Sequence, residues 1–449
     1  MVNPRLLAYQ ILLHLEQKAS HPDRLIRTTL ERHPGLEERD RALLTELVYG
    51  SVRWQGRLDW HIDQLSNTRP DRIASPVRTL LRLALYQILF LDRIPDHAAV
   101  NETVNIAKTS RPPHVIRFIN GMLRQAVRTK GSLPVPSEKD PAGYISVMTS
   151  HPVWFVRKCI QQLGVEETRL FCDANNRIAP AVFRVNTLKA DTQRVTESLR
   201  TAGADVAPSP YQENAVRVHA FRQDITRTEA FREGWIQAQD EASQLVSQIL
   251  GPRPGDRVLD LCAGFGVKAT HLAMLMENRG EVLSIDKSAW KLEELQKNSE
   301  RQGVGIIRTL AEDILQLRVE DVGLFDRVLL DAPCTGFGTI RRNPDIKWRR
   351  HIKDPYRMSQ LQKELLAHAA KFLKRGGVLV YVTCSVFTDE DEAVAQYLSD
   401  LDPELHLEPV LSHLPESCRD MVSGPYFRSW PHRHDLDGFF VARWRKTFE

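Results

Sequence analysis

Two cysteines stand just past the ends of strand-like runs. Asp331-Ala332-Pro333-Cys334 follows the apolar Val328-Leu329-Leu330, and Thr383-Cys384-Ser385 follows Val378-Leu379-Val380-Tyr381-Val382. The carboxyl ends of strands in an open α/β sheet face the ligand crevice, so both thiols are expected to line one site. A pair of thiols there points to nucleophilic chemistry on a carbon that is not reactive by itself. The competing reading is two small buried hydrophobes, the usual lot of a free cysteine.

A second constellation lies upstream. The strand-like Val258-Leu259-Asp260-Leu261 runs into Cys262-Ala263-Gly264-Phe265-Gly266-Val267-Lys268. Glycines at such a turn let backbone amides approach a ligand, and an acid about 20 residues later, at the end of the second strand, can hydrogen-bond ribose hydroxyls. Asp286 stands 20 residues after Gly266. A nucleotide-type cofactor is therefore expected, while the absence of GxGxxG and GxxxxGK[ST] disfavours dinucleotides and ATP.

Strands alternating with helices must position these groups. Strands are expected at 258–261, 281–285, 328–330 and 378–382, with helices over 269–276, 289–301 and 359–373. This alternation predicts a mostly parallel, doubly wound α/β sheet. Residues 1–130 read as all-helical: Ser75-Pro76 is an expected N-cap with proline at the first helical position, and residues 77–89 are apolar nearly all round, as in a central bundle helix. Over 113–128, Val115, Phe118, Ile119, Met122, Leu123 and Ala126 share one face, and Arg117, Arg124 and Arg128 share another. The division expected is a helical domain over 1–130, a linker over 131–143, a small α/β subdomain over 144–240 and a catalytic domain over 241–449.

Composition sets outer limits. The hydrophobic fraction is 42%, and no apolar run approaches the roughly 20 residues that span a bilayer. Six cysteines at long, irregular spacings suggest neither a disulfide framework nor a metal site, so a cytoplasmic chain without metal is expected. Net charge is +4, yet residues 1–130 hold 20 Lys+Arg against 13 Asp+Glu. A basic front suggests a polyanionic partner, although ordinary solubility charge would look the same. A further basic run, Arg341, Arg342, Lys347, Arg349, Arg350 and Lys353 around Trp348, is a candidate nucleic-acid contact in which the indole stacks on an unpaired base.

These residues resemble a known family. Asp40-Arg41-Ala42, Tyr49-Gly50, Asn120-Gly121-Met122-Leu123-Arg124, Phe183-Arg184-Val185-Asn186, Gln239-Asp240, the two cysteine motifs, Arg341-Arg342-Asn343-Pro344-Asp345 and Asp437-Gly438-Phe439-Phe440 are similar to the bacterial cytosine-5 rRNA methyltransferases of the RsmB (Sun/Fmu) type. The resemblance spans nearly the whole chain. It implies a NusB-like helical domain, a small α/β RNA-binding subdomain and a class I, Rossmann-like methyltransferase domain. It further implies S-adenosyl-L-methionine as cofactor and 16S rRNA, or an assembly intermediate containing it, as partner, with a monomer expected. By this resemblance Cys384 is the nucleophile, Cys334 assists product release and Asp331 contacts the N3/N4 edge of the base. Cys262, Ala263, Gly264, Phe265, Gly266, Val267, Lys268, Asp286, Asp313 and Asp331 would surround the cofactor. The family turn usually reads Cys-Ala-Ala-Pro-Gly-Gly-Lys, so Phe265 and Val267 depart from it. The alternatives are a non-catalytic RNA-binding or ribosome-assembly protein of the same fold, and a cytosine-5 methyltransferase acting on another RNA such as tRNA.

Overall fold

The computed structural model describes residues 2–18, 20–221 and 223–448. The chain forms two compact units, Met1–Asn176 with Asn343–Arg350, and Arg177–Arg342 with His351–Glu449.

The first unit is helical. Helix Ser75–Phe90 is central because Leu80, Leu81, Leu83, Ala84, Leu85 and Ile88 are all buried. Its N-cap is Ala74 and not Ser75. Ser75 lies inside the first turn, with its hydroxyl bonded to Glu16. Helix Pro113–Thr129 buries Ile119, Met122, Leu123 and Ala126 and exposes Arg117, Arg124 and Arg128. The expected linker over 131–143 is shorter in the structure, because Pro141 opens a helix, Pro141–Met148, that contains Gly143. Proline fits there since the first turn needs no amide donor. Helices Val153–Leu163 and Val165–Ala174 follow and belong to this unit, so the contact boundary falls at 176/177 and not at 143/144.

The basic run over 341–353 is partly internal, which argues against its reading as one continuous nucleic-acid contact, although Arg349 and Lys353 are exposed. Lys347 is fully buried, donating to Arg53 O at 2.7 Å and Asn176 Oδ1 at 3.1 Å, and burial drives its pKa well down. Trp348 Nε1 donates to Val52 O at 2.7 Å, and its ring packs on the helical core and over Gly56. In the second unit, Arg341 and Arg342 donate to Asp437 at 2.7 Å each, and Arg342 also reaches Asp240 at 2.8 Å. Exposed Arg349 is engaged by Asp345 and His21. Sequence spacing could not show this, because the partners lie far along the chain.

The second unit holds two sheets. The small one comprises β1 (Ala181–Val185), β2 (Asp205–Pro208), β3 (Ala215–Ala220) and β4 (Ile236–Ala238), antiparallel in the order β2-β3-β1-β4. The large one contains β5 (Arg257–Leu261), β6 (Glu281–Asp286), β7 (Ile307–Ala311), β8 (Phe325–Asp331), β9 (Leu373–Thr383), β10 (Leu405–Leu407), β11 (Val422–Ser423), β12 (Tyr426–Arg428) and β13 (Phe440–Lys446). Its order is β11-β12-β13-β9-β8-β5-β6-β7, with β10 beside β13. Strands β5 to β9 pair in parallel and β13 runs antiparallel to β9. Buried Val258, Val282, Leu329 and Val380 pack on one face of the sheet, and Leu259, Leu283, Val328 and Leu379 on the other. A strand covered on both faces reads as the continuous apolar run seen in the sequence. The strand order reverses between β5 and β8, which opens a crevice at their carboxyl ends. No helix among the described residues is long and apolar enough to cross a membrane.

Because half-buried Trp348 packs against the helical core, Trp348→Ala should lower the stability of the helical unit by about 1–3 kcal/mol, read as an earlier unfolding transition, while RNA affinity of the folded protein stays the same. Lost RNA affinity at unchanged stability would return Trp348 to a stacking role.

Candidate active site

The geometry of the site begins with strand register. In the β8–β9 pair, Leu330 lies opposite Tyr381 and Asp331 opposite Val382, and the Ala332 amide extends the ladder by donating to Val382 O at 2.9 Å. Pro333 has no amide to continue it, so the chain turns away. Cys334 Sγ then comes to rest 3.3 Å from Cys384 Sγ. All the cysteines of this chain are free thiols. The hydrogen bond with Cys384, together with burial, raises the Cys334 pKa well above the usual thiol range. Cys334 therefore holds its proton firmly, and either sulfur can be the donor in this contact.

The second feature is a charged pair. Lys268, at the start of helix Val267–Leu275, donates from Nζ to Asp331 Oδ2 at 2.7 Å. Burial lowers the Lys268 pKa, but the Asp331 charge outweighs it and the net shift is upward, so the ammonium persists. Asp331 remains one-third exposed. Near this pair lies Asp260, fully buried, with neither carboxyl oxygen hydrogen-bonded to any described residue. Burial, reinforced by the Asp331 charge, pushes its pKa up to about 8.

The turn between β5 and the next helix completes the crevice. Cys262, Gly264 and Gly266 take positive φ, at 62°, 57° and 72°. Gly266 is required twice over, since an added Cβ would also lie 2.1 Å from Leu295 Cγ. Val267 is already the first helical residue and has negative φ, so a β-branched side chain is accommodated where the family usually has glycine. Ala263 donates to Ile285 O at 2.9 Å. Phe265 projects outward, 48% exposed, with its ring 5.3 Å from that of exposed Trp290 in an edge-on contact. Asp286 Oδ2 accepts from the Gly264 amide at 2.9 Å, and Oδ1 from Ser288 at 2.9 Å. This acid thus shapes the turn as well as standing at its mouth. Asp313 lies two residues beyond β7 and caps the short 3-10 helix Ile314–Gln316, accepting from the Leu315 amide at 3.1 Å and pairing with Lys287 Nζ at 3.0 Å. The Lys287 bond holds its pKa below the usual carboxylate range.

The structure therefore gathers Cys334 and Cys384 at one end of the crevice, and Asp331, Lys268, the 262–268 turn and Asp286 along it, with Asp313 reached through Lys287. Asp260 was missed in the sequence reading. Its signal was available as an acid inside an otherwise apolar strand. No group of three or more His, Cys, Asp or Glu suited to a metal ion occurs among the described residues.

The Asp260 pKa has a consequence for stability. The unfolded chain ionises this carboxyl above its ordinary 3.8, whereas the folded protein keeps the proton up to about pH 8, so stability is full below 3.8 and falls as pH rises to 8. The protein without ligand should lose about 2–4 kcal/mol between pH 5 and pH 8 from this group, and Asp260→Asn should abolish that part of the dependence in urea unfolding. Parallel pH profiles for the two proteins would contradict the assignment.

Comparison with known proteins agrees with this architecture. Residues 2–128 match the NusB family, residues 151–225 a ferredoxin-like domain of RsmF/B-like methyltransferases, and residues 247–445 the 16S rRNA methyltransferase RsmB/F family. A Bacillus subtilis (strain 168) protein named probable ribosomal RNA small subunit methyltransferase B is 34% identical over 445 residues, covering 98% of each chain. A Synechocystis relative of the same name is 35% identical over 451 residues, covering 100% of each. The crystal structure of PH0851 superposes with a TM-score of 0.83 at 30% identity over 99% of each chain. With a helical NusB domain preceding a Rossmann-like α/β sheet, and identity sustained from end to end, the chain belongs to the 16S rRNA methyltransferase RsmB/F family.

Proposed function

We propose that this protein transfers a methyl group from S-adenosylmethionine to C5 of a cytidine in 16S rRNA, through a transient bond between Cys384 and C6 of the base. The observation that carries the reading is the pair of thiols 3.3 Å apart at the ends of adjacent parallel strands, in the same crevice as the Lys268–Asp331 pair. The names of the relatives support the rRNA substrate, and the crevice chemistry supports the carbon and the route.

The residues present fit the cofactor. Asp260 offers a buried carboxyl lacking any donor, and Asp286 and Asp331 add carboxylates beside the positive-φ turn. Such a donor set suits a cationic ligand carrying an ammonium and a ribose. Asp286 would take the ribose hydroxyls, the 262–268 turn the methionine portion, and Asp313 would stand nearby. The bound cofactor supplies an electrophilic methyl group.

The protein's own groups do the rest. C5 of cytosine is a weak nucleophile, so the Cys384 thiolate adds to C6 and the ring becomes enamine-like at C5. Asp331, its charge fixed by Lys268, favours protonation at the N3/N4 edge. Once C5 carries the methyl group, its proton goes to a base, the C5–C6 double bond re-forms and the Cys384–C6 bond breaks. Cys334, the adjacent protonated thiol, assists that release. A buried thiol requires an unstacked base, which favours a loop or an assembling subunit over a finished duplex. The reaction belongs in the cytoplasm, where ribosomal subunits are made. Arg117, Arg124 and Arg128, exposed together on helix Pro113–Thr129, would meet RNA phosphates.

The two thiols should fail differently. Cys384→Ala should abolish methylation of 16S rRNA and form no covalent species, whereas Cys334→Ala should accumulate a protein–RNA adduct that survives denaturing electrophoresis. Accumulation in Cys384→Ala instead would make Cys334 the nucleophile. Replacing Arg117, Arg124 and Arg128 by Ala should reduce the salt slope of RNA binding by about 2 to 3, with cofactor affinity unchanged; an unaltered slope would take RNA docking away from this helix face.

A further inference from the structure

The loops that carry the thiols share a buried carboxylate. Glu390 is fully buried although it lies in the acidic run Asp389-Glu390-Asp391-Glu392. Its Oε2 accepts from the Thr335 amide at 2.8 Å and from Gln362 Nε2 at 3.1 Å. Its Oε1 accepts from the Thr335 hydroxyl and from Ser385 Oγ at 2.6 Å. Thr335 is the residue after Cys334, and Ser385 is the residue after Cys384. Gln362 also donates to Pro333 O at 2.9 Å, on the other side of Cys334. One side chain therefore grips both loops at the residues bonded to the cysteines. A third tie joins the same loops through the backbone, where the Gly338 amide donates to Cys384 O at 2.8 Å.

A carboxylate with four donors suits this place for a physical reason. Two loops ending adjacent strands have no ladder to fix their separation, and a pair of hydroxyls and an amide buried there would each need an acceptor. An ionised carboxylate is acceptor-only with about four lone-pair sites, so it satisfies all of them at once and is held in one orientation by them. Burial pushes the Glu390 pKa up and the bonds from Ser385, Thr335 and Gln362 pull against that rise, and four bonds to one side chain make the connection stiff. Asp391, the next residue, does not join the two loops in the same way: it accepts from Thr383 and pairs with Arg428.

We propose that Glu390 is a positioning residue that sets the distance between the Cys334 and Cys384 sulfurs, and through it the rate at which the base adduct forms and resolves. The inference rests on the thiol chemistry proposed above. Near-attack geometry is sensitive to displacements of about 1 Å, which can cost about 100-fold in rate. Loosening the clip should therefore act on turnover and leave RNA binding unaffected.

The test is Glu390→Gln in the full-length protein, with two readouts. The first is independent of catalysis: the rate at which diamide converts the Cys334 and Cys384 thiols to an intramolecular disulfide, followed by mass spectrometry. The second is steady-state methylation of rRNA. The amide places a donor against one of the existing donor pairs, so disulfide formation should slow at least about tenfold and kcat should fall by a similar factor, with KM for RNA within about twofold. Glu390→Asp, which keeps the charge, should recover part of both rates. A folded Glu390→Gln protein that forms the disulfide at the wild-type rate would overturn the proposal. If that variant does not fold, Thr335→Val and Ser385→Ala, which keep the carboxylate, are read by the same two rates and against the same criterion. Full methylation by Cys384→Ala would instead remove the thiol mechanism, and the disulfide rate would still report on the clip by itself.

Discussion

The parallel register between β8 and β9 is the constraint on which the site depends. Val328, Leu329, Leu330 and residues 378–382 are buried on both faces of the sheet, and a slip by one residue would exchange every side chain between faces. That cost fixes Asp331 opposite Val382. The two chains leave the sheet side by side, and from there a few residues bring Cys334 to Cys384. The order reversal between β5 and β8 sets the glycine turn next to them, so the two thiols, the charged pair and the glycine turn share one crevice without any long-range adjustment.

Electrostatics separates two tasks on one chain. The crevice pairs Asp331 with Lys268 and Asp286 with Lys291, while buried Asp260 keeps its proton up to about pH 8, within a protein of net charge +4. These carboxyls suit a cationic methyl donor better than RNA phosphates. In the proposed reading, phosphate contact falls to the exposed arginines of helix Pro113–Thr129. Only the target base, which carries no charge, needs to enter.

The sequence made the sheet and the thiols legible because both signals are local. Apolar runs ended by Asp331 and Thr383 mark strand ends, and the 20-residue interval from Gly266 to Asp286 fits one turn, one helix and one strand. Signals that depend on distant partners were not legible. Lys347 and Trp348 read as part of a nucleic-acid contact, yet Lys347 is buried against Arg53 and Asn176 and half-buried Trp348 bonds to Val52. Glu390 stands in an acidic run whose sequence does not set it apart, yet it is enclosed by donors from three separate segments. Asp260 was readable in principle, since an acid within an apolar strand is costly unless the site uses it. Boundaries suffered for a related reason: Pro141 suggested a linker by composition but starts a helix.

Methyl transfer to C5 of cytidine by way of a covalent adduct, as proposed, expels the C5 proton, and loss of that proton reports on it directly. RNA transcribed with cytidine tritiated at C5 should release one tritium into water for each methyl group incorporated, and release should stop in Cys384→Ala. Methyl incorporation into the same RNA without tritium release would place the methyl group on another atom and contradict the account.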